Sequence, residues 1–146
     1  MISPKSLSVL ATIAAVAGIV VLLLTHNLLG NHIATIIVQI AAVLLMVWAR
    51  VTFGMRSFHF SANTTEGGLV TSGPYAFVRN PIYSAVLLFA WAGVIEHFSL
   101  VGVLAGLLVT AGMLVRVFSE ERFLRERYPE YGEYARRVRR LIPFIY

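Results

Sequence analysis

Cysteine is absent from all 146 residues, which excludes disulfides, thiolate metal sites and a cysteine nucleophile together. Charge is almost as scarce: 13% of the chain is charged against a hydrophobic fraction of 58%, far from the balance of a soluble domain. Acidic residues number 7, and none lies in the first two apolar runs. A proton-coupled exporter, which expects a carboxylate inside the membrane, therefore finds no support. His26, His32, His59 and His97 are scattered without ligand spacing, so no metal site is expected. The net charge of +5 comes from arginines beside apolar segments and not among exposed aromatics. Lipid headgroups are the expected counterions, and no nucleic acid.

What the chain does have is long uncharged runs. Leu7–Leu24, Ile33–Ala49, Pro81–Ile95 and Ser99–Phe118 predict an all-α integral membrane bundle of four transmembrane helices. Lys5 and the Ala15-Val16-Ala17 stretch resemble a signal peptide, but the apolar run continues to Leu24 and is read as a retained first helix. Trp48 and Arg50 suit an interface, Ser99 an N-cap, and Arg116 a snorkelling position. Lysine and arginine are missing from 25–32 and 96–99 and concentrated elsewhere, which predicts both termini on the cytoplasmic side. The two short connections predict antiparallel hairpins of helices one and two and of helices three and four. Ala11, Ala15 and Gly18 share a face, and Gly102 and Gly106 form a G-x-x-x-G. Packing within one chain is preferred over dimerisation, so a monomer is slightly favoured.

Beyond Phe118 the sequence turns to SEERFLRERYPEYGEYARRVRRLIPFIY. Tyr131, Tyr134, Val138 and Leu141 recur at helical spacing with Glu133, Arg136, Arg137 and Arg140 on the other faces, predicting a cytoplasmic C-terminal amphipathic helix on the membrane surface. Glu121 with Arg125, and Glu133 with Arg137, have the favourable i,i+4 polarity.

Two clusters carry chemistry. In GPYAFVRNPIY, Asn80 and Pro81 form a helix-start signature with Arg79 beside it, an arrangement suited to an anion. Gly67, Gly68 and Gly73 with Pro74 make the approach irregular. The plainer reading is that Asn80 caps, Arg79 meets lipid phosphate, and Tyr75 and Tyr83 are interfacial anchors. The second cluster is Glu120 and Glu121, which near lipid require compensation by Arg116, Arg125 or a bound polar ligand.

The ordered combination LVTSGPYAFVRNPIY, a helical hairpin and EERFLRERYPEYGEYARRVRRLIP resembles the isoprenylcysteine carboxyl methyltransferase and phospholipid methyltransferase superfamily over Arg50 to Tyr146. Arg79, Pro81 and Tyr83 match the family's arginine, histidine, proline, any residue, tyrosine pattern, and Glu120 and Glu121 its glutamate pair; Asn80 replaces the histidine. The resemblance implies one methyltransferase domain over 1–146, with an N-terminal hairpin at 1–49 and a cofactor-binding catalytic region at 50–146. It implies S-adenosylmethionine as cofactor, bound at the cytoplasmic face. Arg79 and Asn80 are its catalytic candidates, and Gly73, Tyr75, Arg79, Asn80, Pro81, Tyr83, Glu120, Glu121 and Tyr134 its cofactor-binding candidates. The expected acceptor is lipid-like or apolar, a carboxylate or an amine. A membrane sterol-type reductase using NADPH is similar in its C-terminal tail and stands as the alternative, with a non-catalytic membrane protein behind it.

Overall fold

The computed structural model describes residues 4–54 and 68–146. Among these, α1 spans Pro4–Leu24, α2 Ile33–Phe53, α3 Pro81–Glu96, α4 Leu100–Arg127 and α5 Tyr131–Arg137, with a 3-10 turn at Gly73–Ala76. No strand forms among the described residues; Val78 and Arg139 make an isolated parallel bridge. The positions Arg56, His59 and Gly67 lie outside the described residues.

Ser6–Leu24, Ile33–Phe53 and Leu100–Arg127 are long and apolar enough to cross a bilayer. Their outward faces show what solvent they need: Val9, Ile13, Val16 and Leu24 of α1 and Ile37, Leu44 and Val51 of α2 are all exposed. An apolar surface of that extent aggregates in water and is matched by acyl chains. The protein is an integral membrane protein. α3, at 16 residues, is only about 24 Å long at the standard helical rise, short of a typical hydrocarbon core.

The expected hairpin of α1 and α2 is corrected by the packing, while α3 and α4 do pack together through Ala90, Val94, Ala105 and Val109. α1 lies along α4 and α2 along α3, whereas α1 and α2, though consecutive, hardly touch. Small residues line the seam of α1 and α4. A Cβ added to Gly112 of α4 would stand 2.5 Å from the Ala11 carbonyl and 2.9 Å from the Ala15 Cβ, and one on Gly18 would stand 2.7 Å from Val109 Cγ2. The two backbones approach closely because nothing projects between them. Gly106 likewise serves packing inside the chain, where the Trp91 ring lies over it and donates through Nε1 to Thr110 Oγ1 at 3.0 Å. α2 is held by a buried polar side chain: Gln39 Nε2 donates to the carbonyls of Leu28 (2.7 Å) and Phe89 (3.2 Å), and its Oε1 accepts from the Gly30 amide at 3.1 Å. With its donors and acceptor all engaged, Gln39 avoids the penalty of a buried unpaired amide.

Two ends differ from expectation. Ser99 does cap α4, its Oγ accepting from the Gly102 amide at 3.0 Å, but α4 runs past Phe118 to Arg127. Its 28 residues extend about 42 Å, so the final turns project beyond a hydrocarbon core of about 30 Å. α5 is the reverse case. It stops at Arg137, leaving Val138 and Leu141 in an irregular stretch, while Tyr131 and Tyr134 are buried against protein and do not form a lipid-facing stripe.

Candidate functional site

The site is built where the projecting end of α4 meets the start of α3. The 3-10 turn delivers the chain to that point: Gly73 has φ of 56°, a left-handed conformation that favours glycine, and a Cβ there would lie 2.6 Å from Thr52 Oγ1. Pro74 and Tyr75 are buried behind it. Pro81 takes the first position of α3, where its missing N–H costs nothing.

Asn80 occupies the N-cap position of α3, but its side chain makes no capping bond. Its Nδ2 donates instead to Glu121 Oε1 at 2.9 Å and to the Arg140 carbonyl at 3.2 Å. Arg79 engages the same glutamate twice, Nε to Oε1 at 3.0 Å and Nη2 to Oε2 at 3.1 Å, while its Nη1 donates to the carbonyls of Ala135 (2.7 Å) and Val138 (2.6 Å). Arg140 adds Nε to Glu121 Oε2 at 3.1 Å. The expected Glu121–Arg125 pair is replaced by these contacts, and Arg125 lies over the Tyr131 ring at 5.6 Å. Arg79 and Glu121 are 7% and 3% exposed at the side chain, so Arg79 faces the interior and not the bulk headgroup phase. One carboxylate against two guanidinium groups leaves this cluster net positive.

A turn along each helix lies a second cluster. Tyr83 donates to Glu120 Oε1 in a short hydrogen bond. Arg116 donates through Nε to Tyr83 at 3.0 Å, through Nη2 to Glu120 at 2.9 Å and through Nη1 to Thr12 Oγ1 at 2.6 Å. Arg116 and Glu120 thus pair as an i,i+4 bridge with the guanidinium directed into the bundle. Glu120 differs from its neighbour. Its side chain is 26% exposed, and among the described residues all its hydrogen bonds go to Oε1, leaving Oε2 without one.

The tyrosines close the far side. Tyr134 donates to the Tyr75 carbonyl at 2.6 Å, and burial pushes the Tyr75 phenol up to about 12 and raises that of Tyr134 too. Tyr131 is also pushed to about 12 by burial, with Glu121 adding to the effect. Its hydroxyl is buried without a well-formed hydrogen bond among the described residues. The Arg79 guanidinium beside this phenol acts against the burial and favours its ionised form.

The structure thus brings Arg79, Asn80 and Glu121 into direct contact, joins Tyr83 to Glu120 and Tyr75 to Tyr134, and uses Gly73 and Pro81 for backbone shape. Sequence reasoning missed the parts of Arg140, Tyr131 and Thr12. Arg140 reaches Glu121 because the stretch after α5 runs beside residues 78–80, where the amides of Arg79 and Asn80 donate to the carbonyls of Arg139 (2.7 Å) and Arg140 (3.2 Å). No local spacing encodes that bridge. Chemically, the arrangement offers cationic groups, one open carboxylate oxygen and tyrosine rings at the border of the apolar phase. Among the described residues no three His, Asp or Glu side chains stand together as a metal site.

The sequence model of one family, described as phospholipid methyltransferase, matches residues 26–131. The cobalt-zinc-cadmium resistance protein CzcN of Cupriavidus metallidurans is 35% identical over 125 residues, 84% of this chain and 50% of that protein. The chain therefore spans about half the length of that relative. No solved structure matches.

Proposed function

The chain belongs to the phospholipid methyltransferase family, and from that premise we propose that it moves a methyl group from S-adenosylmethionine to a lipid-like or apolar acceptor at the cytoplasmic membrane face. In this reading α3 completes a set of four spans, both termini are cytoplasmic, and α5 sits at the membrane surface. The observation that carries it is the meeting of the Arg79–Asn80 corner with Glu121, more than forty residues apart, beside a partly exposed Glu120 with an open oxygen.

The donor group presents a carboxylate, an ammonium, a ribose diol, an adenine ring and a sulfonium. When bound it supplies an electrophilic methyl group, so the protein's task is alignment and exclusion of water. The residues present suit it. Glu120, through Oε2, is placed for the ammonium or the diol, while Arg140 keeps guanidinium donors beyond those given to Glu121 and Tyr146 for a carboxylate. Tyr83, partly exposed, supplies ring surface for the adenine or sulfonium, while Tyr75 and Tyr134 are buried and form the wall behind it. Arg79, with four donor contacts already made, and Glu121 act mainly by fixing the corner. Asn80 cannot take up a proton near neutral pH, and its amide donates to two acceptors at once. An acceptor that is already anionic, such as a carboxylate, therefore suits this site better than an amine that must first lose a proton.

The test is calorimetric titration of the purified chain with S-adenosylhomocysteine, together with transfer of labelled methyl from S-adenosylmethionine into a total lipid extract. The wild type should bind and transfer, and Glu120→Gln should remain folded with binding weakened on the order of tenfold, as expected for a lost charge-assisted hydrogen bond. Unchanged binding in Glu120→Gln, or no binding by the wild type, would refute the assignment. The NADPH-dependent reductase gains no observation from the site.

A further inference from the structure

The stretch that follows α5 does more than close the polar corner. At Ile142–Tyr146 the chain folds into a tight turn, with the amides of Leu141 and Ile142 donating to the Tyr146 carbonyl at 2.7 and 2.8 Å and the Tyr146 amide returning to Ile142 at 3.1 Å. The turn presents Phe144 and Ile145, which are 88% and 76% exposed. A soluble turn does not spend two large apolar side chains in this way unless they meet an apolar partner. Its depth is set by α4: the Arg140 guanidinium stacks on Phe118 at 4.7 Å and on Tyr146 at 5.2 Å. Phe118 lies about 27 Å along α4 from Leu100, so it reaches the level where the hydrocarbon gives way to headgroups. Arg136, Arg137 and Arg139, just before the turn, are exposed.

We propose that Phe144 and Ile145 form a wedge inserted into the acyl layer of the leaflet at which α4 ends, and that Arg136, Arg137 and Arg139 bind the anionic headgroups above it. The occupant follows from two complementarities at once: apolar tips at hydrocarbon depth, and three cations immediately outside it where acidic phospholipids place their charge. Free phosphate satisfies only the second. The consequence for the site is mechanical. The carbonyls of Arg139 and Arg140 accept the amides of Arg79 and Asn80, so the segment held by lipid is the segment that closes the corner, whatever chemistry occurs there.

The absence of cysteine permits a clean test on the full chain. Ile145→Cys, labelled with an environment-sensitive fluorophore in nanodiscs, should be quenched by phospholipids brominated on the acyl chain and shielded from aqueous iodide. A label open to iodide and indifferent to brominated lipid would overturn the wedge. Enrichment of phosphatidylglycerol over phosphatidylcholine around the protein, read by native mass spectrometry, should fall roughly fivefold per arginine removed in the series Arg136→Gln, Arg137→Gln and Arg139→Gln. Inorganic phosphate should not compete. Equal enrichment in the triple variant, or displacement by inorganic phosphate, would overturn the headgroup assignment. Amide exchange at residues 78–80 should slow in nanodiscs containing phosphatidylglycerol, and identical exchange in both lipids would refute the coupling. None of these readouts requires methyl transfer.

Discussion

Two adjacent glutamates should respond to the same substitution with losses of very different size. Glu121 accepts Arg79 Nε and Asn80 Nδ2 at Oε1, and Arg79 Nη2 and Arg140 Nε at Oε2. In Glu121→Gln one of those oxygens becomes an NH2 group, and whichever side it takes, it faces two N–H donors. Two hydrogen bonds to charged or amide groups are lost, and two guanidinium groups share a site without their counterion. Removing one partner of a buried ion pair costs about 3–5 kcal/mol, and the figure applies here because the Glu121 side chain is 3% exposed. Glu120→Gln is different. The glutamine oxygen can still accept from Tyr83 and Arg116, the amide can occupy the open Oε2 position, and the site is partly hydrated, so the loss should be about 1 kcal/mol or less. The assay is reversible unfolding of both variants in mixed micelles, followed through the fluorescence of Trp48 and Trp91 and compared at matched detergent composition. Comparable stability losses in the two variants, or a Glu121→Gln protein as stable as wild type, would refute the division between a structural and an accessible carboxylate.

Two further predictions concern the frame around the site. Gly18→Val places side-chain atoms where a Cβ alone already stands 2.7 Å from Val109 Cγ2 and 2.9 Å from the Ala105 carbonyl; the resulting overpacking between α1 and α4 should cost about 1–3 kcal/mol in the same micelle unfolding assay. The buried phenols predict an alkaline limit: Tyr75 and Tyr131 ionise at about 12 when folded and near 10 when unfolded. Between those values the unfolded chain binds fewer protons than the folded one, so stability is intact below about pH 10 and declines as pH rises toward 12. Unfolding midpoints measured across that window should show the decline, and the double variant Tyr75→Phe, Tyr131→Phe should make it shallower, with buried Tyr134 carrying the remainder; a level wild-type profile would contradict the burial argument.

Composition and periodicity were sufficient to identify a lipid-embedded helical protein, because apolar runs that cannot be hydrated state their solvent directly. They also located the small-residue face Ala11–Ala15–Gly18, the Ser99 cap and the start of α3 at Pro81, since each of these is a local property of the chain. Local periodicity misled at α5, where Tyr131, Tyr134, Val138 and Leu141 repeat at helical spacing, yet the last two lie beyond the helix end and the first two are buried in protein. That α1 pairs with α4 and not with its neighbour in sequence was not legible from loop length; Gly18 and Gly112 lie in that seam, where an added Cβ would meet the facing helix at 2.7 and 2.5 Å. The site divides along the same line. Arginine, asparagine and paired glutamates announced a polar cluster at the membrane border, but a carboxylate's partner is settled by distance in space. Only the folded chain, by laying the stretch after α5 beside residues 78–80, could enclose Glu121 between Arg79 and Arg140 and leave Glu120 open.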